Sequence, residues 1–180
     1  ALNKLRALSP ADRARGVVSA STGTHGLAIS HASRSEGVGL KLFLPETVAA
    51  VKRSRIEALG VDVEVRGASC DKAEVLAREF ADRTGRVFVS PYNDRDIVRG
   101  AGTVGLELDE DLGRFDDVLV PVGGGGLIAG LAGYLKAVRP EVRVVGVEPV
   151  TSAFMAASLA AGRLVEIEEK PTIADAVAGG

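Results

Sequence analysis

The sequence predicts an α/β protein with two open, mostly parallel sheets, each in a lobe of its own. Short apolar segments alternate along the 180 residues with segments of helical periodicity, which is typical of βαβ units. The apolar segments form two groups, one before Pro91 and one after Asp117, and a glycine-rich helical segment joins them. Because open α/β sheets bind ligands at the carboxyl ends of their strands, we expect the binding region in a cleft between the lobes.

The first group of predicted strands lies between residues 16 and 90. Its strands are short apolar runs or alternate with a period of two, and the helical segments place apolar residues three or four positions apart. We expect Gly60 to end the second helix and Asp71 to cap the third. The predicted elements are, in order, a strand at 16–20, a helix at 26–34, a strand at 38–44, a helix at 48–59, a strand at 61–65, a helix at 72–80 and a strand at 87–89.

The region after Pro91 is richer in glycine. A helix is predicted over 94–108, and because glycine weakens helix interiors we expect breaks at Gly100, Gly102 and Gly105. The remaining predicted elements are a strand at 118–122, a helix at 126–137, a strand at 142–147 and a helix at 152–161.

The composition excludes several classes of function. Hydrophobic residues make up 46% and charged residues 26% of the chain, which is ordinary for a globular protein. The net charge of -2 leaves no basic excess for a nucleic-acid partner. The single cysteine, Cys70, excludes an internal disulfide and indicates a reducing compartment. The uncharged run at 118–135 imitates a membrane span, but Pro121 and four adjacent glycines would break such a helix.

The loop at 21–26, Ser-Thr-Gly-Thr-His-Gly, follows the first predicted strand at the point where a helix begins. Its hydroxyls and backbone N–H groups would suit an anionic group such as a substrate carboxylate. The alternative is that Ser21, Thr22 or Thr24 caps the helix in the ordinary way. The loop by itself does not decide between these two interpretations.

The loop at 123–126 consists of four glycines between a predicted strand and a predicted helix. Without Cβ atoms the backbone approaches a ligand closely, and the N-terminus of the helix attracts a phosphate. Because a plain strand–helix connection rarely needs four adjacent glycines, the sequence favours a phosphate site here.

A dinucleotide site is a competing interpretation of the same loop. Gly124-x-Gly126-x-x-Ala129 matches the relaxed dinucleotide fingerprint, and Glu148 comes at about the spacing of a ribose-binding acid. Pro121 and the late position of the glycines, after at least three earlier strands, argue against this alternative.

Taken together, the two loops resemble those of the fold-type-II pyridoxal-phosphate enzymes. The loop at 21–26 resembles their S-x-G-N-H-G loop, and residues 121–127 resemble their cofactor-phosphate loop. The order and separation of the two loops resemble the threonine/serine dehydratase branch, which includes threonine deaminase and serine racemase. Three further segments resemble segments of that branch, namely 1–4, 100–103 and 172–177.

The resemblance implies a fold and a reaction. The fold is of the tryptophan synthase β type, with two open parallel-sheet α/β lobes, and this chain is incomplete at both ends of it. Residues 16–90 would form the small lobe, and residues 1–15 with 91–180 would belong to the larger, phosphate-binding lobe. The implied reaction uses pyridoxal phosphate to eliminate water from a small amino acid and release ammonia and a 2-oxo acid. The resemblance also implies a cytoplasmic homodimer.

The resemblance assigns roles to individual residues as well. Thr22 falls at the position of a second acid/base serine and is the candidate catalytic residue. Thr24 stands where the family has an asparagine beside the cofactor's phenolic oxygen. The implied substrate-binding residues are Ser21, Thr22, Gly23 and His25. The implied cofactor-binding residues, besides Thr24, are Gly123, Gly124, Gly125, Gly126 and Leu127.

Three departures from the family pattern change these expectations. Thr24 in place of asparagine would alter the orientation of the cofactor or the preferred reaction. Phe154 replaces the second acid of a divalent-cation site found in some members, so we expect no metal site. The family's Schiff-base lysine would precede Ala1, and we interpret the six lysines of the chain as solvated charges. We therefore expect this chain by itself to be inactive.

Other functions remain open from the sequence alone. A racemase, or a dehydratase for a modified amino acid, would use the same two loops. A dinucleotide-binding domain would use Glu148 to contact a ribose. A non-catalytic member of the family would lack the lysine altogether.

Overall fold

The computed structural model of the protein describes residues 1–21, 23–168, 170, 172–174 and 176–178. These residues form an α/β structure with parallel strands, which agrees with the predicted fold class. The chain divides into two compact units, Ala1–Ile97 and Val98–Gly180.

The first unit is built on a parallel sheet. Its helices and strands are, in chain order, α1 Leu2–Arg6, α2 Pro10–Arg15, β1 Val17–Ala20, α3 Thr24–Glu36, β2 Leu40–Leu44, α4 Ala50–Glu57, β3 Asp62–Val65, α5 Cys70–Thr84 and β4 Val87–Phe88. The strands are ordered β3-β2-β1-β4, and each neighbouring pair is parallel. Because helices connect the strands, the pairing agrees with the predicted βαβ pattern.

Both faces of this sheet are buried, as is usual for parallel sheets. Val17 and Val18 of β1 belong to separate core clusters, and both are fully buried. One cluster contains Leu5, Ile29 and Ile56, which come from three helices. The other cluster packs against α5 through its alanines, namely Ala73, Ala77 and Ala81. Helix α5 therefore carries the small apolar residues that its sequence spacing predicts.

Two short helices, α1 and α2, precede β1 and were not predicted. The hydroxyl of Ser9 accepts a hydrogen bond from the N–H of Asp12 at 3.1 Å, and Pro10 occupies the first helical position of α2. Both are ordinary signals for a helix start. Leu5 of α1 is fully buried in the core of this unit.

The predicted cap of α5 was wrong. The helix begins at Cys70, and Ser69 caps it by accepting a hydrogen bond from the N–H of Lys72 at 3.3 Å. Asp71 lies in the first turn instead, where its negative charge still suits the helix dipole.

The second unit contains two parallel strands joined by a helix. Helix α6, Arg95–Leu112, begins at the end of the first unit and continues into this one. The later elements are β5 Asp117–Pro121, α7 Gly126–Val138, β6 Arg143–Val147 and α8 Phe154–Ala161. Strands β5 and β6 pair in parallel, with Val118 opposite Val144. The buried residues of the core cluster are Val120, Leu131, Leu135 and Val142.

Helix α6 is continuous, so the predicted breaks at its glycines were wrong. Gly102 and Gly105 lie against α7 instead. An alanine Cβ at Gly102 would lie 3.2 Å from the carbonyl oxygen of Gly130, and one at Gly105 would lie 3.1 Å from that of Leu131. These glycines would weaken an isolated helix, but here they allow the main chains of α6 and α7 to approach closely.

The uncharged run at 118–135 is divided among β5, a turn and part of α7. In the part of the chain that the structure describes, no helix is both long and apolar enough to cross a bilayer. The run is accounted for by the strand, the turn and the apolar contacts of α7 with its own unit.

Candidate functional site

The loop between β1 and α3 begins at Ser21, whose hydroxyl oxygen is used within the loop. It accepts hydrogen bonds from the N–H groups of Gly23 and Gly26, each at 3.2 Å. Gly26 is the third residue of α3, so Ser21 takes part in capping that helix. Because its oxygen already accepts two N–H groups, the hydroxyl proton is the group that Ser21 can offer to an anion. Capping and binding are therefore compatible at Ser21.

The two glycines of this loop have different surroundings: Gly26 is tightly packed, whereas Gly23 faces open space. An alanine Cβ at Gly26 would lie 3.2 Å from Ile56 Cδ1 and 3.2 Å from the carbonyl oxygen of Ser21, so this buried position favours glycine. A Cβ at Gly23 would meet no atom within 4 Å. Thr24 is exposed at the start of the helix. Thr22, the candidate catalytic residue, lies outside the described residues.

His25 extends from the first turn of α3 towards β1. Its Nε2 lies 3.2 Å from the hydroxyl oxygen of Ser19, which is fully buried in the strand. Ser19 also donates a hydrogen bond to the carbonyl oxygen of Val89 at 2.7 Å. Burial of His25 lowers its pKa to about 4, so the imidazole is neutral at neutral pH. Ser19 was not singled out from the sequence, because strand periodicity alone marks it only as a core position.

The glycine loop between β5 and α7 has the backbone features of a phosphate site. Gly125, the N-cap residue of α7, has a φ of +81°, in the left-handed region that favours glycine. The first turn of α7 carries no acidic residue, and no side chain among the described residues caps this helix. Its terminal N–H groups and the positive end of its dipole are therefore available to an anion.

Val177 and Met155 border the glycine loop. An alanine Cβ at Gly123 would lie 3.2 Å from Val177 Cα, and one at Gly125 would lie 3.3 Å from Met155 Cε. Side chains in the loop would thus fill the space around its backbone. This loop has no side chains and lies at the positive end of the helix dipole, so it fits a phosphate group. Val177 ends the segment 172–177 that resembles the family, whereas Met155 carries no pattern that marks it from sequence.

Glu148 caps α8. Its carboxylate oxygens accept hydrogen bonds from the N–H groups of Met155 at 2.9 Å and Ala156 at 2.8 Å. A carboxylate at this place also interacts favourably with the helix dipole. Among the described residues there is no group of three or more His, Cys, Asp or Glu placed to hold a metal ion. Glu148 therefore holds the start of α8 close to the end of β6. One of its two partners, Met155, is the residue that borders the glycine loop.

Replacing Glu148 by alanine is expected to lower the free energy of unfolding by about 1–2 kcal/mol, because two N–H groups of α8 lose their acceptor. Glu141, an exposed acid of the same unit, provides the control, and Glu141→Ala should change stability by less than about 0.5 kcal/mol. Urea unfolding of the two variants measures the difference. Equal stabilities would contradict the capping role.

The interpretation of the lysines as solvated charges was wrong for Lys4 and Lys41. Lys4 Nζ lies 2.9 Å from Asp94 Oδ2, and its side chain is only 16% exposed. Lys41 Nζ lies 3.0 Å from Asp62 Oδ1, and Lys136 donates to two backbone carbonyls. For Lys4 and Lys41 burial lowers the pKa, but the paired carboxylates outweigh burial and raise it. Both amines are therefore held protonated, which does not suit a nucleophile.

Comparison with known proteins identifies the same family that the two loops resemble. The family model described as "Pyridoxal-phosphate dependent enzyme" matches residues 1–180. The L-threonine ammonia-lyase of Thermotoga maritima is 41% identical over 178 residues, which cover 99% of this chain and 44% of that protein. The catabolic L-threonine dehydratase of Escherichia coli K12 is 35% identical over 175 residues, which cover 97% of this chain and 53% of that protein.

Two solved structures are similar over nearly the whole chain. The processed form of threonine deaminase isoform 2 from Solanum lycopersicum has a TM-score of 0.91 and 35% identity, covering 98% of this chain and 52% of that one. Maize serine racemase has a TM-score of 0.91 and 32% identity, covering 98% of this chain and 54% of that one. The chain thus spans about half the length of the relatives that it matches.

Proposed function

Because the chain belongs to the pyridoxal-phosphate dependent enzymes, we propose that it is part of an ammonia-lyase of the threonine/serine dehydratase type. The full-length protein would eliminate water from a small hydroxyl-bearing amino acid and release ammonia and a 2-oxo acid. The observation that carries this proposal is the glycine loop at 123–126, in a chain 41% identical to an L-threonine ammonia-lyase. The activity is proposed for the whole protein, since the chain spans about half of its relatives' length.

The cofactor phosphate is proposed to lie on the glycine loop. The N–H groups of Gly123, Gly124, Gly125, Gly126 and Leu127 would hold it, supported by the dipole of α7. The left-handed backbone at Gly125 and the close neighbours of Gly123 and Gly125 support this assignment, because they leave the loop without side chains. Thr24 would contact the phenolic oxygen of the cofactor through its hydroxyl.

The substrate carboxylate is proposed to bind the loop at 21–26. Ser21 can donate its hydroxyl proton, and Gly23 leaves open space above the backbone. His25 belongs to this loop through its place in the first turn of α3. Thr22 is proposed to act as the second acid or base. It would transfer a proton at Cα, on the face of the substrate opposite the anchoring amine.

When bound, pyridoxal phosphate supplies an electron sink that stabilises negative charge at Cα after proton loss. The residues of this chain would contribute binding and orientation. The loop at 21–26 would orient the substrate through its carboxylate, and the loop at 123–127 would orient the cofactor through its phosphate. Lys4 and Lys41 are held in ion pairs, so neither suits the amine that anchors the cofactor. Because the resemblance places that amine outside residues 1–180, we expect this chain alone to be inactive.

The assembly and domain assignment of the whole protein are part of the proposal. Residues 16–90 would form the small lobe, and 1–15 with 91–180 would belong to the larger lobe. A cytoplasmic homodimer without a nucleic-acid or membrane partner is proposed. The net charge of -2 argues against a nucleic-acid partner, and the single cysteine fits a reducing compartment.

Racemisation is the second candidate activity. Maize serine racemase has a TM-score of 0.91 with this chain, equal to that of the tomato threonine deaminase. Thr24, in place of the family's asparagine, lies where reaction preference would be affected. Both activities begin with the loss of the Cα proton. They differ in the next step, since a lyase expels the β-hydroxyl whereas a racemase returns a proton to the opposite face of Cα.

The purified full-length protein, loaded with pyridoxal phosphate, tests both candidates. With L-threonine or L-serine we expect a 2-oxo acid and ammonia in equal amounts, measured by reduction of the oxo acid and by an ammonia assay. Removing the cofactor should abolish both products, and adding it back should restore them. Chiral chromatography of the remaining amino acid measures racemisation. Formation of the D-amino acid without any 2-oxo acid would overturn the lyase proposal in favour of the racemase.

A further inference from the structure

Ser19 connects three elements of the first unit. It is fully buried in β1. Its hydroxyl oxygen lies 2.7 Å from the carbonyl oxygen of Val89 and 3.2 Å from Nε2 of His25. Val89 comes directly after β4 and donates its own N–H to the carbonyl oxygen of Val18 at 2.8 Å. His25 lies in the first turn of α3. The first turn of α3 is therefore fastened to the sheet through one hydroxyl group.

The protons in this group can be assigned from the geometry. A serine hydroxyl has one proton, and the carbonyl oxygen of Val89 can only accept. The shorter contact, at 2.7 Å, takes that proton. At 3.2 Å, Nε2 of His25 must then carry a proton of its own, because otherwise two acceptors would face each other at the fully buried Ser19. Nε2 donates to Ser19, and Nδ1 keeps its lone pair.

We propose that Ser19 is a positioning residue that holds His25 as the neutral imidazole protonated at Nε2, so that this ring anchors the loop at 21–26. Burial lowers the pKa of His25 and supports the neutral form. The positive terminal amine of Ala1 acts in the same direction, and the carboxylate of Asp94 opposes both more weakly. With Nε2–H turned to Ser19, the ring has no donor for a carboxylate. The substrate-binding part of this inference rests on the proposed function: the donors for the substrate carboxylate are the Ser21 hydroxyl and the backbone N–H groups of the loop.

The tautomer of His25 can be measured without turnover. Full-length protein labelled with ¹⁵N-histidine gives two-bond ¹H–¹⁵N correlations, and His25→Gln identifies the signal by its disappearance. We expect a protonated-type shift at Nε2 and an unprotonated-type shift at Nδ1 at neutral pH, since burial, the largest cause, lowers the pKa of His25. An Nδ1–H tautomer or an imidazolium at neutral pH overturns the proposal.

Variants of Ser19 test its positioning role. Ser19→Ala should produce a mixture of both tautomers and raise KM for the amino acid about fivefold, the factor that one buried hydrogen bond contributes, with kcat little changed. Ser19→Thr keeps the hydroxyl and should retain the Nε2–H tautomer and a KM close to that of the unmodified protein. An unchanged tautomer or an unchanged KM in Ser19→Ala overturns the role of Ser19.

The two proposals fail separately. If the full-length protein makes no 2-oxo acid but His25 shows the Nε2–H tautomer, the proposed function fails and the assignment of the Ser19–His25 pair stands. If Ser19→Ala does not fold, as judged by circular dichroism, the spectrum of the unmodified protein and that of Ser19→Thr still decide the tautomer.

Discussion

Gly130→Ala is expected to destabilise the protein by about 3 kcal/mol, which is a large cost for one added methyl group. The added Cβ would overlap the carbonyl oxygen of Val98 and lie 2.7 Å from the backbone nitrogen of Gly102. Both contacts are with main-chain atoms of α6, so no side chain can rotate away to relieve them. Helices α6 and α7 would have to separate, and the packing of the second unit would loosen.

Gly133 is the matched control on the same helix. A Cβ at Gly133 would meet no atom within 4 Å, so Gly133→Ala should stabilise the protein by about 0.5–1 kcal/mol through helix propensity. Urea unfolding of the two alanine variants measures the difference. Equal effects would mean that α6 and α7 do not approach as closely as described.

Gly124→Asp is expected to weaken the binding of pyridoxal phosphate by about 100-fold. Gly124 is exposed in the glycine loop, beside the N-terminus of α7. A carboxylate there would repel the cofactor phosphate and would itself compete for the helix N–H groups. Repulsion of about 3 kcal/mol between two charges in a partly desolvated site corresponds to that factor. Cofactor titration of the full-length apoprotein, monitored by absorbance, gives the dissociation constants.

Gly124→Asn separates charge from size in this experiment. Asparagine has the shape of aspartate without its charge, so its effect on the dissociation constant should be at least about tenfold smaller. Pyridoxal, which lacks the phosphate, provides a second control, because the Asp and Asn variants should bind it equally. If the two variants weaken pyridoxal phosphate equally, the phosphate does not lie on this loop.

The fold class, the family and its cofactor could be predicted from the sequence, and all three were confirmed. The reason is that these features depend on local signals. Strands and helices alternate with distinct periods, and the two loops carry glycines and hydroxyls at fixed places. The comparisons favour the dehydratase interpretation over the dinucleotide-binding alternative.

The incorrect predictions have identifiable physical causes. Helix α6 runs through its glycines because α7 packs against them, and tertiary packing outweighs propensity. Ser69 and Asp71 are both good caps, and the sequence does not tell which one adopts the extended backbone that Ser69 has. Lys4 is paired with Asp94. Because the two residues are far apart along the chain, no local sequence pattern predicts this ion pair.

The candidate site was predictable only in its loops. The glycines at 123–126 are visible in the sequence, but their neighbours Met155 and Val177 are brought there by the fold. Similarly, His25 is visible as a polar residue of a loop, whereas its partner Ser19 has the pattern of an ordinary core position. Contacts between distant segments determine how a recognisable loop is held.

A crystal structure of the full-length protein grown with pyridoxal phosphate tests the central claim most directly. We predict phosphate oxygens about 3 Å from the main-chain nitrogens of the loop at 123–126, at the N-terminus of α7. A cofactor phosphate bound to other residues, with this loop empty or holding the diphosphate of a nucleotide, would contradict the account.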